Sequence, residues 1–192
     1  MEGKTKMSEN KKIESPLGKD VVKSLSTGDM VLLSGDVYTA RDTAHKRMIE
    51  LLDRGEELPF PLEGAIIYYV GPTPAPPGKV IGAAGPTTSN RMDAYAPRLI
   101  EAGLAGMIGK GSRGEEVIDA CVKHGCVYFA AIGGAGALMS QSIKSCEVLA
   151  WEELGPEAVR LLKVENMPLV VINDPQGRDL YKEGKQKYAV RS

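Results

Sequence analysis

The sequence lacks a long apolar run. A membrane-spanning helix needs about 20 consecutive apolar residues, and the most apolar stretch, residues 127–139, is interrupted by Gly133, Gly134 and Gly136. The first residues, MEGKTKMSENKK, do not contain the apolar core of a signal peptide. These absences predict a cytoplasmic protein.

An excess of charge of one sign is also missing. The chain has 24 Lys and Arg against 25 Asp and Glu, a formal net charge of −1. A protein that binds nucleic acid or an anionic membrane through its overall field usually has a strongly basic balance. Any anion site in this chain must therefore come from a local cluster of cations.

Cysteine is scarce, and its pattern argues against both disulfides and metal ligation. The three cysteines are an odd number and no secretory signal precedes them, which argues against a disulfide framework. They are also not spaced as a compact iron–sulfur run, and Cys121 falls within a predicted helix, where a small buried side chain fits. The two histidines, His45 and His124, are expected at helix ends rather than on a metal. We therefore predict no metal ligand in this chain.

The order of the segments predicts one α/β domain. Hydrophobic content of 43% and charged content of 26% are ordinary for a globular protein. Apolar strand-like segments alternate with amphipathic helical ones in the middle of the chain, and strands dominate its end. The predicted middle strands are MVLLSG, GAIIYYV, VIGAAG, LAGMIG and VYFAAIG, and the helices between them are DTAHKRMIELLDRG, MDAYAPRLIEAG and EEVIDACVKHG. We expect a disordered polar tail over residues 1–14 and the folded domain over 15–192.

Three glycine-containing loops carry cations where a predicted strand is followed by a helix. Ligands of α/β sheets bind at such positions, and arginine forks match carboxylates through paired hydrogen bonds. The loops are residues 35–45 with Arg41, residues 85–91 with Thr87, Thr88 and Arg91, and residues 109–114 with Lys110 and Arg113. This set suits a small dianion. An alternative stays open, in which these charges only pair with Asp36, Asp42 and Asp93.

The third loop also permits a nucleotide-binding interpretation. Its sequence GKGSRG matches G-x-G-x-x-G, which places a pyrophosphate at a helix N-terminus when it joins a strand to a helix. The motif also requires an acidic residue at the end of the next strand, and VYFAAIGGAGA has none. Nucleotide binding is therefore the second hypothesis, and a scaffolding domain without catalysis is the third.

Several segments together resemble a known enzyme family. TARDTAHKR, GPTTSNRMDAY, GKGSRGEEVIDACVKHG, AAIGGAGAL and EELGPEAV, in this order, resemble the β subunit of class I fumarate hydratase. The same pattern is found in the C-terminal region of the single-chain enzymes and in the β subunit of L(+)-tartrate dehydratase. The resemblance covers about residues 15–180.

The resemblance implies an iron–sulfur hydro-lyase made of two kinds of subunit. It implies reversible hydration of fumarate to L-malate, with a [4Fe–4S] cluster held by cysteines of the α subunit and acting as a Lewis acid. It further implies a three-layer swivelling β/β/α fold, an active site between the subunits and an α2β2 assembly. L(+)-tartrate and a methylated fumarate are the alternative substrates.

The resemblance also assigns roles to individual residues. Arg41 and Arg91 match the carboxylate clamps, and Lys110 matches a third cationic contact that takes part in catalysis. Thr87 matches the group that exchanges a proton at the substrate carbon. A free threonine is a poor base, so this role requires a neighbouring group that adjusts it.

Overall fold

The computed structural model describes residues 10–131 and 136–188. Within these ranges the chain forms seven strands and six α-helices. The strands are β1 (Lys11–Ser15), β2 (Met30–Thr39), β3 (Ile66–Tyr68), β4 (Gly106–Gly109), β5 (Val127–Ala131), β6 (Ile143–Ala150) and β7 (Val159–Asn173). The helices are α1 (Lys19–Ser24), α2 (Asp42–Asp53), α3 (Ala96–Glu101), α4 (Glu115–His124), α5 (Gly136–Gln141) and α6 (Leu180–Tyr188), and two 3₁₀ segments cover Ser89–Met92 and Glu152–Glu157.

The strands form one mixed sheet that closes on itself. Strands β2, β3, β4 and β5 are neighbours in this order and run parallel. The long strand β7 then pairs antiparallel with both β5 and β2, which closes a five-stranded, barrel-like arrangement. Strand β1 lies parallel beside β2, and β6 lies antiparallel beside β7. The prediction of a single α/β domain is confirmed.

Both faces of the sheet are covered, which explains the continuous apolar character of the middle strands. On β3, Ile66 and Tyr68 belong to one core, which is formed mainly by strand residues. The intervening Ile67 belongs to a second core, shared with helices α2, α3 and α4. All three side chains are fully buried. Because side chains alternate along a strand, one short apolar run contributes to both cores.

The central helices follow the predicted patterns. Helix α2 buries Ala44, His45 and Met48 at helical spacing. Helix α4 begins with two glutamates and ends with Lys123 and His124, an order that complements the helix dipole. It stops at Gly125, whose φ of +80° is the left-handed conformation that favours glycine. No helix in the described ranges is long and apolar enough to cross a membrane.

One predicted strand and the end of the predicted N-terminal tail require correction. The segment VIGAAG is not a strand; it folds back on the proline-rich turn before it, where Thr73 N donates to Ala83 O at 3.1 Å and Ala83 N donates to Thr73 Oγ1 at 2.8 Å. The predicted tail of residues 1–14 overlaps β1, which is ordered by its pairing with β2 and by the burial of Ile13. The remainder of the predicted tail, residues 1–9, lies outside the described residues.

Candidate functional site

The three cation-bearing loops lie at one edge of the sheet. Arg41 follows β2 and Lys110 follows β4, so both stand at carboxyl ends of parallel strands. The Thr87 loop is held next to the end of β3, because the Thr87 N–H donates a hydrogen bond to Tyr69 O at 2.7 Å. Since β2, β3 and β4 are parallel neighbours, their carboxyl ends meet at the same edge. The structure therefore brings the sequence-predicted residues into one region.

Asp42 connects the two predicted arginine clamps. Arg91 Nε donates to Asp42 Oδ1 at 2.8 Å, and Arg41 Nη2 lies 3.8 Å from Asp42 Oδ2. Arg41 Nη2 also lies 3.5 Å from Glu157 Oε1, while Glu157 Oε2 accepts a bond from the N–H of Thr43 at 3.0 Å. Arg91 is half exposed, and its Nη groups make no hydrogen bond within the described residues. The two guanidinium groups are therefore held by acids, and Arg91 retains donors that are not used within the described residues, while Arg41 Nε is buried without a hydrogen-bond partner there.

Thr87 and Lys110 lie side by side through their backbones. Lys110 N donates to Thr87 O at 3.3 Å, and Ser89 N donates to Lys110 O at 2.9 Å. A parallel bridge pairs Thr88 with Lys110. The Lys110 side chain is exposed, and in the described part of the chain its ammonium has no hydrogen bond or ion pair. The site thus offers an unneutralised cation next to the predicted proton-transfer residue.

Arg113, expected as a further loop cation, instead points into the protein. Its side chain is fully buried, with Nε donating to Asp93 Oδ1 at 2.7 Å and Nη1 donating to the Tyr69 hydroxyl at 3.3 Å. Its guanidinium carbon also lies 5.1 Å from the centre of the Tyr128 ring. Arg113 is therefore a buried ion-pair partner and is not available to a ligand. The sequence could not separate it from Lys110, because both are cations of the same glycine loop.

The start of α4 does not favour nucleotide binding. The N–H of Gly114, which a phosphate would need, donates to Asp93 Oδ2 at 2.7 Å. The first turn then carries Glu115 and Glu116. The backbone donor that a phosphate would use is therefore already bonded to Asp93, and a phosphate would be repelled by Asp93, Glu115 and Glu116. The protein's own carboxylates thus occupy the positive end of the helix dipole.

His45 is buried beneath the loops. Its Nδ1 donates to the Arg41 carbonyl at 2.8 Å, and its ring lies edge-on to Tyr69 with centroids 5.3 Å apart. Burial lowers the pKa of His45 to about 4, although the hydrogen bond to the Arg41 carbonyl opposes this effect. The imidazole is therefore neutral at physiological pH, and its Nε2 has no hydrogen-bond partner among the described residues. His45 supports the turn that carries Arg41.

The three cysteines do not form a ligand set. Cys121 and Cys126 are adjacent and fully buried in the core under α2, α3 and α4. Cys146 is on β6 and packs against the other core. Over the described ranges no group of three or more His, Cys, Asp or Glu is arranged to hold a metal ion.

Other residues of this edge escaped sequence reasoning. Glu157 comes from a 3₁₀ segment more than a hundred positions after Arg41, and only the closed sheet brings the two together. Tyr128 and Ser89 share a buried hydrogen bond of 2.8 Å under the Thr87 and Lys110 loops. Tyr128 has no signal in the sequence, because a tyrosine in an apolar strand is a common core residue. Ser89 lies in the GPTTSNR loop, but nothing in the sequence separates it from an ordinary loop serine. The EELGPEAV segment quoted for the resemblance was the one available pointer to Glu157.

Together these residues can bind a small anion with two or more acidic groups. Lys110 and the outer nitrogens of Arg91 are available at the surface, and charged hydrogen bonds from such groups contribute about 1.5–3 kcal/mol each. The Thr87 hydroxyl makes no hydrogen bond within the described part of the chain, so it is free to meet a ligand. The paired acids Asp42 and Glu157 fix the arginines and reduce the local positive charge.

Comparison with known proteins identifies the family. The chain matches the family described as "Fumarase C-terminus" over residues 2–184. It is 41% identical to "Fumarate hydratase class I, aerobic" of Escherichia coli K12 over 153 residues, which are 79% of this chain and 28% of that protein. "Fumarate hydratase 2" of Leishmania major is 42% identical over 156 residues, 80% of this chain and 28% of that protein.

A relative of similar length gives a second comparison. "Putative L(+)-tartrate dehydratase subunit beta" of Methanocaldococcus jannaschii is 41% identical over 177 residues, 89% of this chain and 91% of that protein. The chain thus spans about a quarter of the length of the fumarate hydratases but nearly all of the tartrate dehydratase subunit. The family match covers residues 2–184 of this chain, and the tartrate dehydratase subunit is covered over 91% of its length. This chain therefore belongs to the Fumarase C-terminus family.

Proposed function

We propose that the chain is the β subunit of a two-subunit hydro-lyase that reversibly hydrates fumarate to L-malate. The observation that carries the proposal is the exposed, unpaired Lys110 beside Thr87, at the sheet edge that also bears Arg41 and Arg91. A dicarboxylate requires cations at both ends, and this edge supplies three. The similarity to class I fumarate hydratases supports the same reaction.

The proposal gives each residue a distinct role. Arg41 and Arg91 bind the carboxylates, and Lys110 stabilises the charge that develops as a proton leaves or joins the substrate. Thr87 exchanges that proton. Because a free threonine is a weak base, Lys110 or an acid of the partner must assist it.

The iron–sulfur cluster of the proposal belongs to the partner subunit. The cysteines of this chain lie in two separate cores, so they do not fit the ligand set of a cluster. When bound to an α subunit, the cluster would supply a Lewis acid for the hydroxyl group. The residues of this chain would bind the substrate and handle its proton from the opposite side. An α2β2 assembly with a cytoplasmic location and the swivelling variant of the α/β fold complete the proposal.

L(+)-tartrate is the second candidate substrate. The observation that favours it is the match to a tartrate dehydratase β subunit over 91% of that protein's length. Tartrate is also a dicarboxylate and needs the same clamps. Its binding would differ from that of malate only in the contacts that the pocket makes with one additional hydroxyl. Such a difference contributes only a few kcal/mol.

The test is an anaerobic assay of fumarate hydration with this chain alone and mixed with a cluster-loaded α subunit of the class I type. We expect loss of fumarate absorbance only in the mixture. A stable, cluster-containing complex that is inactive on fumarate but dehydrates L(+)-tartrate would select the second substrate. Failure of the two subunits to associate would overturn the proposal.

A further inference from the structure

A buried tyrosine holds the loop that carries Lys110. The Tyr128 hydroxyl donates to the carbonyl of Gly111 at 2.9 Å, and it lies 2.8 Å from the Ser89 hydroxyl. Gly111 directly follows Lys110, and Ser89 binds the carbonyl of Lys110 through its own N–H at 2.9 Å. The tyrosine therefore contacts both segments that hold the Lys110 backbone.

The geometry leaves the Lys110 peptide little freedom. Its N–H is bonded to Thr87 O and its carbonyl to Ser89 N, so both sides of the residue are fixed to the second loop. A Cβ at Gly109 would overlap the Ser89 hydroxyl, which shows how closely the two loops approach. Gly111 has a φ of +83°, the left-handed turn that glycine adopts without strain.

Tyr128 is itself fixed from below. Its ring packs on the buried guanidinium of Arg113, which is anchored by its 2.7 Å hydrogen bond to Asp93. Burial raises the pKa of the Tyr128 hydroxyl, so the group keeps its proton and remains a donor to Gly111. With that proton committed, the Ser89 hydroxyl is the donor in the bond between them. A continuous set of buried and half-buried contacts thus leads from Asp93 through Arg113 and Tyr128 to the turn after Lys110.

We propose that Tyr128 is a positioning residue that sets the direction of Lys110 relative to Thr87. It does not touch the substrate and acts through Gly111 and Ser89. This inference rests on the proposed hydro-lyase function, which gives Lys110 its role. Loss of the hydroxyl would let the turn at Gly111 move and would displace the ammonium without removing it.

A double-mutant cycle tests the proposal in the complex with the cluster-loaded α subunit. Tyr128→Phe keeps the ring and removes only the hydroxyl, and we expect kcat/KM to fall about tenfold, the effect of losing one hydrogen bond of ordinary strength. In a Lys110→Ala background, the same change should have almost no further effect, because the group it positions is absent. Ser89→Ala should reproduce the loss in kcat/KM. Tyr38→Phe is the control, since Tyr38 stacks on Phe60 and its hydroxyl makes no bond within the described residues.

Amide hydrogen exchange on the isolated chain separates the two proposals. Tyr128→Phe should accelerate exchange at Lys110, whose N–H is bonded to Thr87 O, while Tyr38→Phe should not. Unchanged exchange, normal turnover of Tyr128→Phe, or an equal loss in the Lys110→Ala background would each overturn the positioning role. A wild-type mixture without hydro-lyase activity would overturn the proposed function instead, and hydrogen exchange would still decide whether Tyr128 holds the loop.

Discussion

Lys110 differs from the other cations of this edge in having no acidic partner. Arg41 and Arg91 share Asp42, and Arg113 is paired with Asp93. In the described part of the chain, the Lys110 ammonium is exposed and forms neither an ion pair nor a hydrogen bond. Because this charge is left unneutralised on a residue whose backbone is bonded to Thr87, it is available for a ligand, and Lys110 is the sharpest single test of the site.

Replacing Lys110 with alanine should reduce kcat/KM of the assembled enzyme by about ten- to a hundredfold, the loss of one charged hydrogen bond in the transition state. Steady-state kinetics of the mixed subunits would measure the loss in kcat/KM. Urea unfolding of the isolated chain should show an unchanged free energy of unfolding. Lys123→Ala is the matched control, because Lys123 is an exposed lysine at the opposite end of α4. Near-normal turnover of the Lys110 variant would remove this residue from the site.

His45 makes stability depend on pH. An unfolded histidine takes up a proton near pH 6.5, but buried His45 resists protonation until about pH 4. Between these values the unfolded chain binds more protons than the folded one. The contribution is therefore complete above pH 6.5 and is lost as the pH falls toward 4.

We expect the free energy of unfolding to fall by about 2 kcal/mol more in the parent chain than in His45→Gln when the pH is lowered from about 7.5 to about 5. Urea unfolding of both proteins at the two pH values would provide the comparison, because all other titrating groups are shared. Glutamine is a polar side chain of similar length that does not titrate in this range, so it removes the protonation step of residue 45. An identical pH dependence in the two proteins would show that His45 is protonated or accessible in the folded state.

At the level of elements, Gly71 in the segment after β3 leaves room for the side chain of Arg41. A Cβ at Gly71 would lie 2.7 Å from Arg41 Nη1 and 3.3 Å from the carbonyl of Pro156. The position needs no left-handed backbone, so an added methyl would act through space alone. The segment after β3 therefore shapes the place of the guanidinium that follows β2.

Gly71→Ala should displace the Arg41 side chain while the strands remain paired, since the far end of an arginine moves more easily than backbone. We expect KM for the dicarboxylate to rise about tenfold, because Arg41 is proposed to bind a carboxylate. Initial-rate kinetics would show the change. Gly18→Ala, where an added methyl meets nothing within 4 Å, is the control. Equal KM values for the Gly71 variant and the parent would argue against a clamp at Arg41.

Sequence reasoning succeeded for elements whose pattern is local. Helices α2 and α4 follow from apolar spacing and a terminal glycine, and β4 and β5 follow from short apolar runs. It failed for VIGAAG, whose apolar residues are buried by folding back on Thr73 rather than by strand pairing. An apolar run alone cannot distinguish these two ways of burial.

For the whole molecule, the distribution of the cysteines predicts where iron can be bound. Cys121 and Cys146 lie in different cores and cannot reach a common cluster without rearrangement of the sheet. Cys121→Ala and Cys146→Ala should therefore each leave the iron content of the assembled complex unchanged. Chemical assay of iron and acid-labile sulfide per complex would measure this, with wild-type complex as the reference. Loss of iron in either variant would place a cluster ligand in this chain.

The sequence by itself determined the α/β class, the main helices, the family resemblance and three cation-bearing loops after strands. These features depend on local patterning and on short motifs, which survive in the order of the residues.

Only the tertiary structure decided which loop cations face outward. Arg113 and Lys110 belong to the same glycine loop, yet Arg113 is buried against Asp93 and Lys110 is exposed. The contacts of Glu157 with Arg41 and of Tyr128 with Ser89 and Gly111 join residues far apart in the chain. Such contacts arise when the strands pair and the sheet closes, and no local pattern records them.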